Sequence, residues 1–145
     1  MILEAKLEKW NKIDTSILLN EILKRNEQYI INLNRNQLFD DGIVDSENPN
    51  RIYPYAESTR KQKIKKAKFP KVDFITLKWD GIFQDGMFIE YLRDRIRINS
   101  TDEKWNKFRL WDDRFTNALG LTRENFKELI SLIRRELLHE LRQLK

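Results

Sequence analysis

The stretch 74-FITLKWDGIFQDGMFIEYLRDRIRIN-99 decides the fold, because here helical spacing gives way to β chemistry. Phe74-Ile75-Thr76-Leu77-Lys78-Trp79 is rich in β-branched and aromatic residues, which suit a pleated, half-buried surface, and it ends at Asp80-Gly81. It reads as a strand leaving through a turn. Gln84-Asp85-Gly86 is a second break. Met87–Leu92 and Arg95–Asn99 then make a hairpin about Arg93-Asp94, with Ile96 and Ile98 on one side and Arg95, Arg97 and Asn99 on the other. The expectation is an antiparallel sheet of about three strands.

Helices flank this region. Leu3, Leu7 and Trp10 share one face of a short first helix, and Asp14 or Thr15 caps a second. Leu19, Ile22, Leu23, Ile30, Leu33 and Leu38 recur at helical spacing, so the second helix runs to about Phe39 and stops before Gly42. Trp105, Phe108, Leu110, Trp111 and Phe115 suggest a helix covering the sheet, with Asp112-Asp113 as a break, and their spacing favours core packing over a stacking surface. In the last helix Thr122 is the N-cap, Leu121 and Phe126 form a hydrophobic staple, and Glu124 suits the first-turn dipole. Phe126, Leu129, Ile130, Ile133, Leu137, Leu141 and Leu144 follow on one stripe. The predicted architecture is α+β: a long N-terminal helix and a C-terminal helix on a small antiparallel sheet, all within one domain of 145 residues.

Charge is unevenly placed. The protein has 28 Lys and Arg against 23 Asp and Glu, a net charge of +5. Seven of the cations, Arg60, Lys61, Lys63, Lys65, Lys66, Lys68 and Lys71, lie in one stretch without an acid, and an acidic group of Asp40, Asp41, Asp45 and Glu47 precedes it. Residues 42–73 also hold Pro49, Pro54 and Pro70 and no sustained apolar period, so they read as a long loop or arm, with a possible helical turn over Glu57–Lys66. The basic run predicts contact with a polyanion or an acidic protein surface; the simpler alternative is a solvated loop.

Several chemistries are excluded. Without cysteine there is no disulfide, thiol nucleophile or thiolate metal site, and one histidine, His139, rules out a His-rich metal centre. His139 is turned about 200° from Leu137 and from Leu141, away from the apolar stripe, with no evident orienting partner. Asp40 to Glu47 lacks the ligand spacing of a calcium loop. Asp94 with Asp102-Glu103-Lys104 imitates the acid and acid-x-Lys pair of a magnesium nuclease, but Glu4-Ala5-Lys6 repeats the second element by chance. No enzyme, metal or cofactor is expected. No apolar run spans a membrane and no secretory leader is evident, so action in a reducing interior is expected.

From Asn36 to Ile89 the order Asn-Gln-Leu-Phe-Asp-Asp-Gly42, Ile52-Tyr53-Pro54-Tyr55-Ala56, Thr59, Lys63, Lys66, Pro70, Ile75-Thr76-Leu77 and Gly81-x-Phe83 resembles a family. It is similar to the small virion morphogenesis and tail-completion proteins of tailed phages, including those of Bacteroides-group phages and prophages. Asp80 stands where that pattern has Thr. The resemblance implies a non-enzymatic ring subunit at the head-tail connector or tail end, made in the bacterial cytoplasm and working in the virion. Its partners would be itself, neighbouring portal, connector or tail subunits, and packaged DNA. The seven cations would then face a neighbour's acidic loop, Asp40, Asp41, Asp45 and Glu47, or DNA. The alternative is a small accessory protein that binds nucleic acid without sequence preference.

Overall fold

A computed structural model describes residues 15–93 and 95–143, and over 108–111 the backbone alone. The expected first helix with Leu3, Leu7 and Trp10, the Asp14 cap, Asp94 and Leu144 lie outside the described residues. The described chain is α+β: six α-helices packed on a two-stranded antiparallel sheet.

The long N-terminal helix is two helices. α1 spans Thr15–Arg25 and α2 spans Glu27–Phe39. They break at Asn26, whose backbone leaves helical geometry at φ −105° and ψ 14°. An asparagine side chain competes well with helical backbone bonding: its Nδ2 donates both to Ile22 O and to Glu136 Oε2, each at 2.9 Å. Ile22, Leu23, Ile30, Ile31 and Leu38 still reach one core across the break. The helix ends where expected, and Gly42 turns the chain out at φ 67°, a conformation that favours glycine. A Cβ there would also lie 2.4 Å from the Phe74 ring.

Two short helices follow, α3 over Glu57–Lys66 and α4 over Ile82–Asp85. β1 (Met87–Tyr91) pairs with β2 (Ile96–Ser100) in the register Ile89 to Ile98 and Glu90 to Arg97. Met87, Ile89 and Ile98 face the core, while Arg97 and Glu90 form an ion pair on the outer face at 2.7 Å. α5 (Glu103–Trp111) lays Trp105 against Phe83, ring centroids 4.6 Å apart, and a 3-10 turn over Asp113–Phe115 buries Phe115. The chain breaks at Asp112, as expected.

α6 spans Arg123–Arg142. Thr122 is its N-cap, the Oγ1 accepting from Asn125 N at 3.2 Å. Leu129 and Ile133 are buried, and Arg25 forks onto Glu136 and Glu140 to hold α1 on this helix. Phe126 departs from expectation. The residue is 53% exposed, so the staple with Leu121 does not cover it.

The third strand is absent among the described residues: Phe74–Trp79 bends at Phe74, Leu77 and Trp79 and joins no ladder. Ile75 N donates to Tyr53 O and Trp79 O accepts from Phe69 N, but these do not extend into a ladder, and side chains take up other backbone groups. Thr76 N donates to Tyr55 Oη, Lys78 N to Thr76 Oγ1, and Thr76 O accepts from Gln84 Nε2. Leu77 adopts φ 55°, which destroys the alternation of a strand.

A buried amide pair joins the two halves of the chain. Asn34 and Gln37, three residues apart on α2, are almost wholly buried. Asn34 donates to Ala118 O and accepts from Gly120 N, at 2.9 and 2.8 Å. Gln37 donates to Gly120 O and accepts from Thr122 N and Asn125 Nδ2, at 2.9, 2.9 and 2.7 Å. Gln37→Leu strands three partners, the buried Thr122 N and the half-buried Gly120 O and Asn125 Nδ2, and each unsatisfied buried group costs roughly 1–3 kcal/mol. The variant is expected to melt at least about 5 °C lower by circular dichroism, and an unchanged melting temperature would refute this role.

Candidate functional site

The basic segment is a helix with two faces. Successive helical residues turn by about 100°, so Lys63 lies opposite Lys61 and Lys65. Arg60, Lys61, Lys65, Lys66 and Lys68 are exposed, but Lys63 is completely buried. Its Nζ donates to Tyr55 Oη at 2.9 Å, Lys71 O at 2.6 Å and Thr76 Oγ1 at 3.1 Å. Three partners satisfy all three ammonium hydrogens. The Tyr55 ring faces the same charge at 4.7 Å.

Lys71 is also structural. Its Nζ donates to Phe39 O at 2.9 Å, near the carbonyl end of α2 where a cation is favoured, and it faces the Phe39 and Phe74 rings at 4.9 and 4.7 Å. Residues 42–73 are therefore not an extended arm. They are tied down by the Ile43–Ile52 bridge, by Ser46 N to Asn117 O, and by Phe69 N to Trp79 O. The expected surface of seven cations becomes five exposed ones.

The acidic group is divided in the same way. Asp40, Asp41 and Glu47 are exposed, whereas Asp45 is buried and closes a turn. It accepts from Glu47 N at 3.1 Å, Asn48 Nδ2 at 3.0 Å and Asn117 Nδ2 at 3.3 Å. Burial pushes its carboxyl upward, but hydrogen bonds from Asn48, Asn117 and the backbone outweigh that and hold it below the ordinary value. Asp45 is thus a joint rather than a partner contact.

The 75–83 segment, residues 54–56 with the first turn of α3, α5 and the 3-10 turn line an apolar groove of about 620 Å³. Tyr55, Ile75, Leu77, Phe83, Trp105 and Phe115 line it, while Trp79 and Ile82 form an exposed lip. Charged residues of both signs edge the mouth: Asp80, Asp102, Lys104 and Arg114. Arg114 is gripped by Asp112, Nη2 to Oδ2 at 2.6 Å, and covers Phe115 at 4.9 Å. That contact holds Asp112 below the ordinary carboxylate value. The left-handed Leu77 belongs to this wall, a conformation of the kind found at binding sites. The groove draws on distant stretches of chain, and no sequence motif announces it.

Of the nuclease-like residues, Asp94 lies outside the described residues, and Asp102-Glu103-Lys104 have a local structural part. Asp102 caps α5 by accepting from Lys104 N at 3.0 Å, so the acid-x-Lys pattern is a helix start. His139 is exposed, and the neighbouring Glu136 and Glu140 both bind Arg25, at 3.2 and 3.1 Å. Among the described residues no three His, Asp or Glu side chains converge as metal ligands.

Lys63→Met removes a donor from three oxygens and should lower stability by about 3 kcal/mol, whereas exposed Lys61→Met should change it by less than about 0.5. Denaturant midpoints for the two variants test this, and equal midpoints would refute it. Asp45 stabilises the fold when ionised, since its folded value lies below the unfolded one. The stability gap between the protein and Asp45→Asn should hold above about pH 5 and shrink as pH falls through about 4. A gap that widens toward acid would contradict that sign. Comparison with models of known families, with curated proteins and with solved structures gives no match for this chain.

Proposed function

We propose that the protein is a non-enzymatic structural subunit of a tailed-phage virion, forming a homo-oligomeric ring in the head-tail connector or tail-completion region against neighbouring virion proteins. The observation that carries this reading is the convergence of the residues of the resemblance. Tyr55, Lys63 and Thr76 are the three side chains of the buried ammonium joint. Gly42 makes room for Phe74, and Gly81, at φ 90°, starts the α4 turn that places Phe83 against Trp105. These positions build a scaffold, and none is arranged as a reactive group. Among the described residues no helix is long and apolar enough to cross a membrane.

A second reading rests on α3. Arg60, Lys61, Lys65 and Lys66 are exposed on one short helix, and Glu57, 3.9 Å from Lys61, provides an ion pair to only one of them among the described residues. Such a surface suits phosphates, packaged DNA included, without sequence readout.

Solution mass at about 50 and 500 mM salt, with a parallel titration of random duplex DNA, separates the readings. A ring subunit is expected to sediment as an oligomer. A monomer that binds DNA would put the second reading first; with five exposed cations its log-log salt slope should not be steeper than about −4.5. In that case changing Arg60, Lys61, Lys65 and Lys66 to Gln should abolish binding. A monomer indifferent to DNA would sink both.

A further inference from the structure

We infer that α1 is an exchangeable segment, which each copy of the chain lays on α6 of the next copy, an inference that rests on the ring reading above and supplies the ring's contact. α1 packs on α6 more than on any other described element. Leu18, Ile22 and Leu23 enter the core from α1, and Arg25 reaches Glu136 and Glu140 at 3.2 and 3.1 Å. An identical helix from another copy makes the same apolar and ionic contacts in the same place. The occupant that this face of α6 accepts is therefore specified by the fold itself: it is Thr15–Arg25 of this chain.

The break at Asn26 is what favours exchange. Residues 15–39 hold neither glycine nor proline and keep their apolar residues at helical spacing, so their own sequence prefers one continuous helix. A sharp kink needs a cause, and here it is Glu136 on α6, whose Oε2 accepts from Asn26 Nδ2 at 2.9 Å. The backbone bonds at the break are intact, Asn26 N to Ile22 O at 3.2 Å and Ile30 N to Asn26 O at 3.0 Å, so the departure is confined to one residue. Local preference and tertiary contact thus oppose each other at a hinge without slack, the condition under which segments exchange between copies. When α1 leaves its own α6, Asn26 returns to helical geometry. The 11 residues of α1 then extend the axis of α2 by about 16 Å, at 1.5 Å per residue, and reach the vacated α6 of the next copy. The apolar and Arg25 contacts are regained without the kink. Because α1 and the α6 face are different surfaces, the exchange runs head to tail, and repeated copies build a ring when the rotation closes.

The protein has no cysteine, so introduced thiols report on one pair of sites. Glu21→Cys, one turn before Arg25 on α1, and His139→Cys, between Glu136 and Glu140 on α6, both change exposed residues. The two single variants are unfolded together, refolded and treated with a short bismaleimide. The expected product is a covalent pair holding one chain of each kind, twice the 17.7 kDa of the monomer. A chain that carries both changes should likewise be linked to its neighbours. An oligomer in which that doubly changed chain links only within itself, while the mixture gives no pair, overturns the inference and leaves the ring reading standing. An unmodified protein that stays at 17.7 kDa overturns both. The hinge is tested in the mixture with Asn26→Ala, which favours a straight helix, against Asn26→Gly, which opposes it. Their difference in helix propensity corresponds to about fivefold in population, so the alanine variant should give about five times as much of the mixed pair. Equal yields overturn the straightening that exchange requires.

Discussion

The ammonium of Lys63 lies in the interior, and its hydrogen bonds go to neutral oxygens. A buried unpaired charge is among the most expensive groups a fold can hold, so the surrounding chain must supply acceptors at fixed positions. Tyr55, Lys71 O and Thr76 do this, and they come from two stretches, one before α3 and one after it. Once they are fixed, α3 is docked and residues 71–76 run alongside it. Thr76 and Tyr55 also take up backbone N–H groups that a strand would have paired. The sheet stops at two strands, Leu77 turns left-handed, and its side chain becomes a wall of the groove.

The amide pair on α2 plays the matching part at the other end of the chain. Asn34 and Gln37 supply the hydrogen bonds needed by a loop and by the first turn of α6, where backbone groups have no helical partner. Among the described residues every buried side-chain nitrogen and oxygen is satisfied. A satisfied polar interior rigidifies a structure because any slippage strands a donor or an acceptor. The apolar core of Ile22, Ile30, Leu38, Phe83, Trp105 and Phe115 provides attraction, and these polar joints determine which arrangement it takes.

Features governed by neighbouring residues were legible in the sequence. Thr122 caps α6 and Asp112 interrupts the segment before it because capping acts within three residues of the cap. The hairpin register follows from alternation, with Ile98 inward and Arg97 outward. Features governed by distant partners were not. Asn26 looks like any helical asparagine until Glu136 lies beside it. Phe74–Trp79 has strand composition, but its hydrogen bonds scatter to Tyr53 O, Phe69 N and the side chains of Tyr55, Thr76 and Gln84. Lys63 and Lys71 are chemically identical to the lysines around them, and only helical phase and the oxygens across the fold separate structural cations from surface ones. Asp45 alone carried a local sign, the Asp-x-x-Asn spacing of a side-chain-closed turn.

That separation changes how the surface is to be understood. The exposed cations of α3 and the apolar slot are governed by different physics: the first is weakened by salt, and the second is not. Both are nevertheless held by one joint, because Lys63 seats α3 and fixes Thr76 beside the groove wall. A defect at Lys63 would therefore impair charge contact and groove together, whichever of them the protein uses. Function can be assigned only through side chains that project from the joint without supporting it. Lys61 and Lys65 on the helix, and Ile82 at the groove, are exposed residues of this kind.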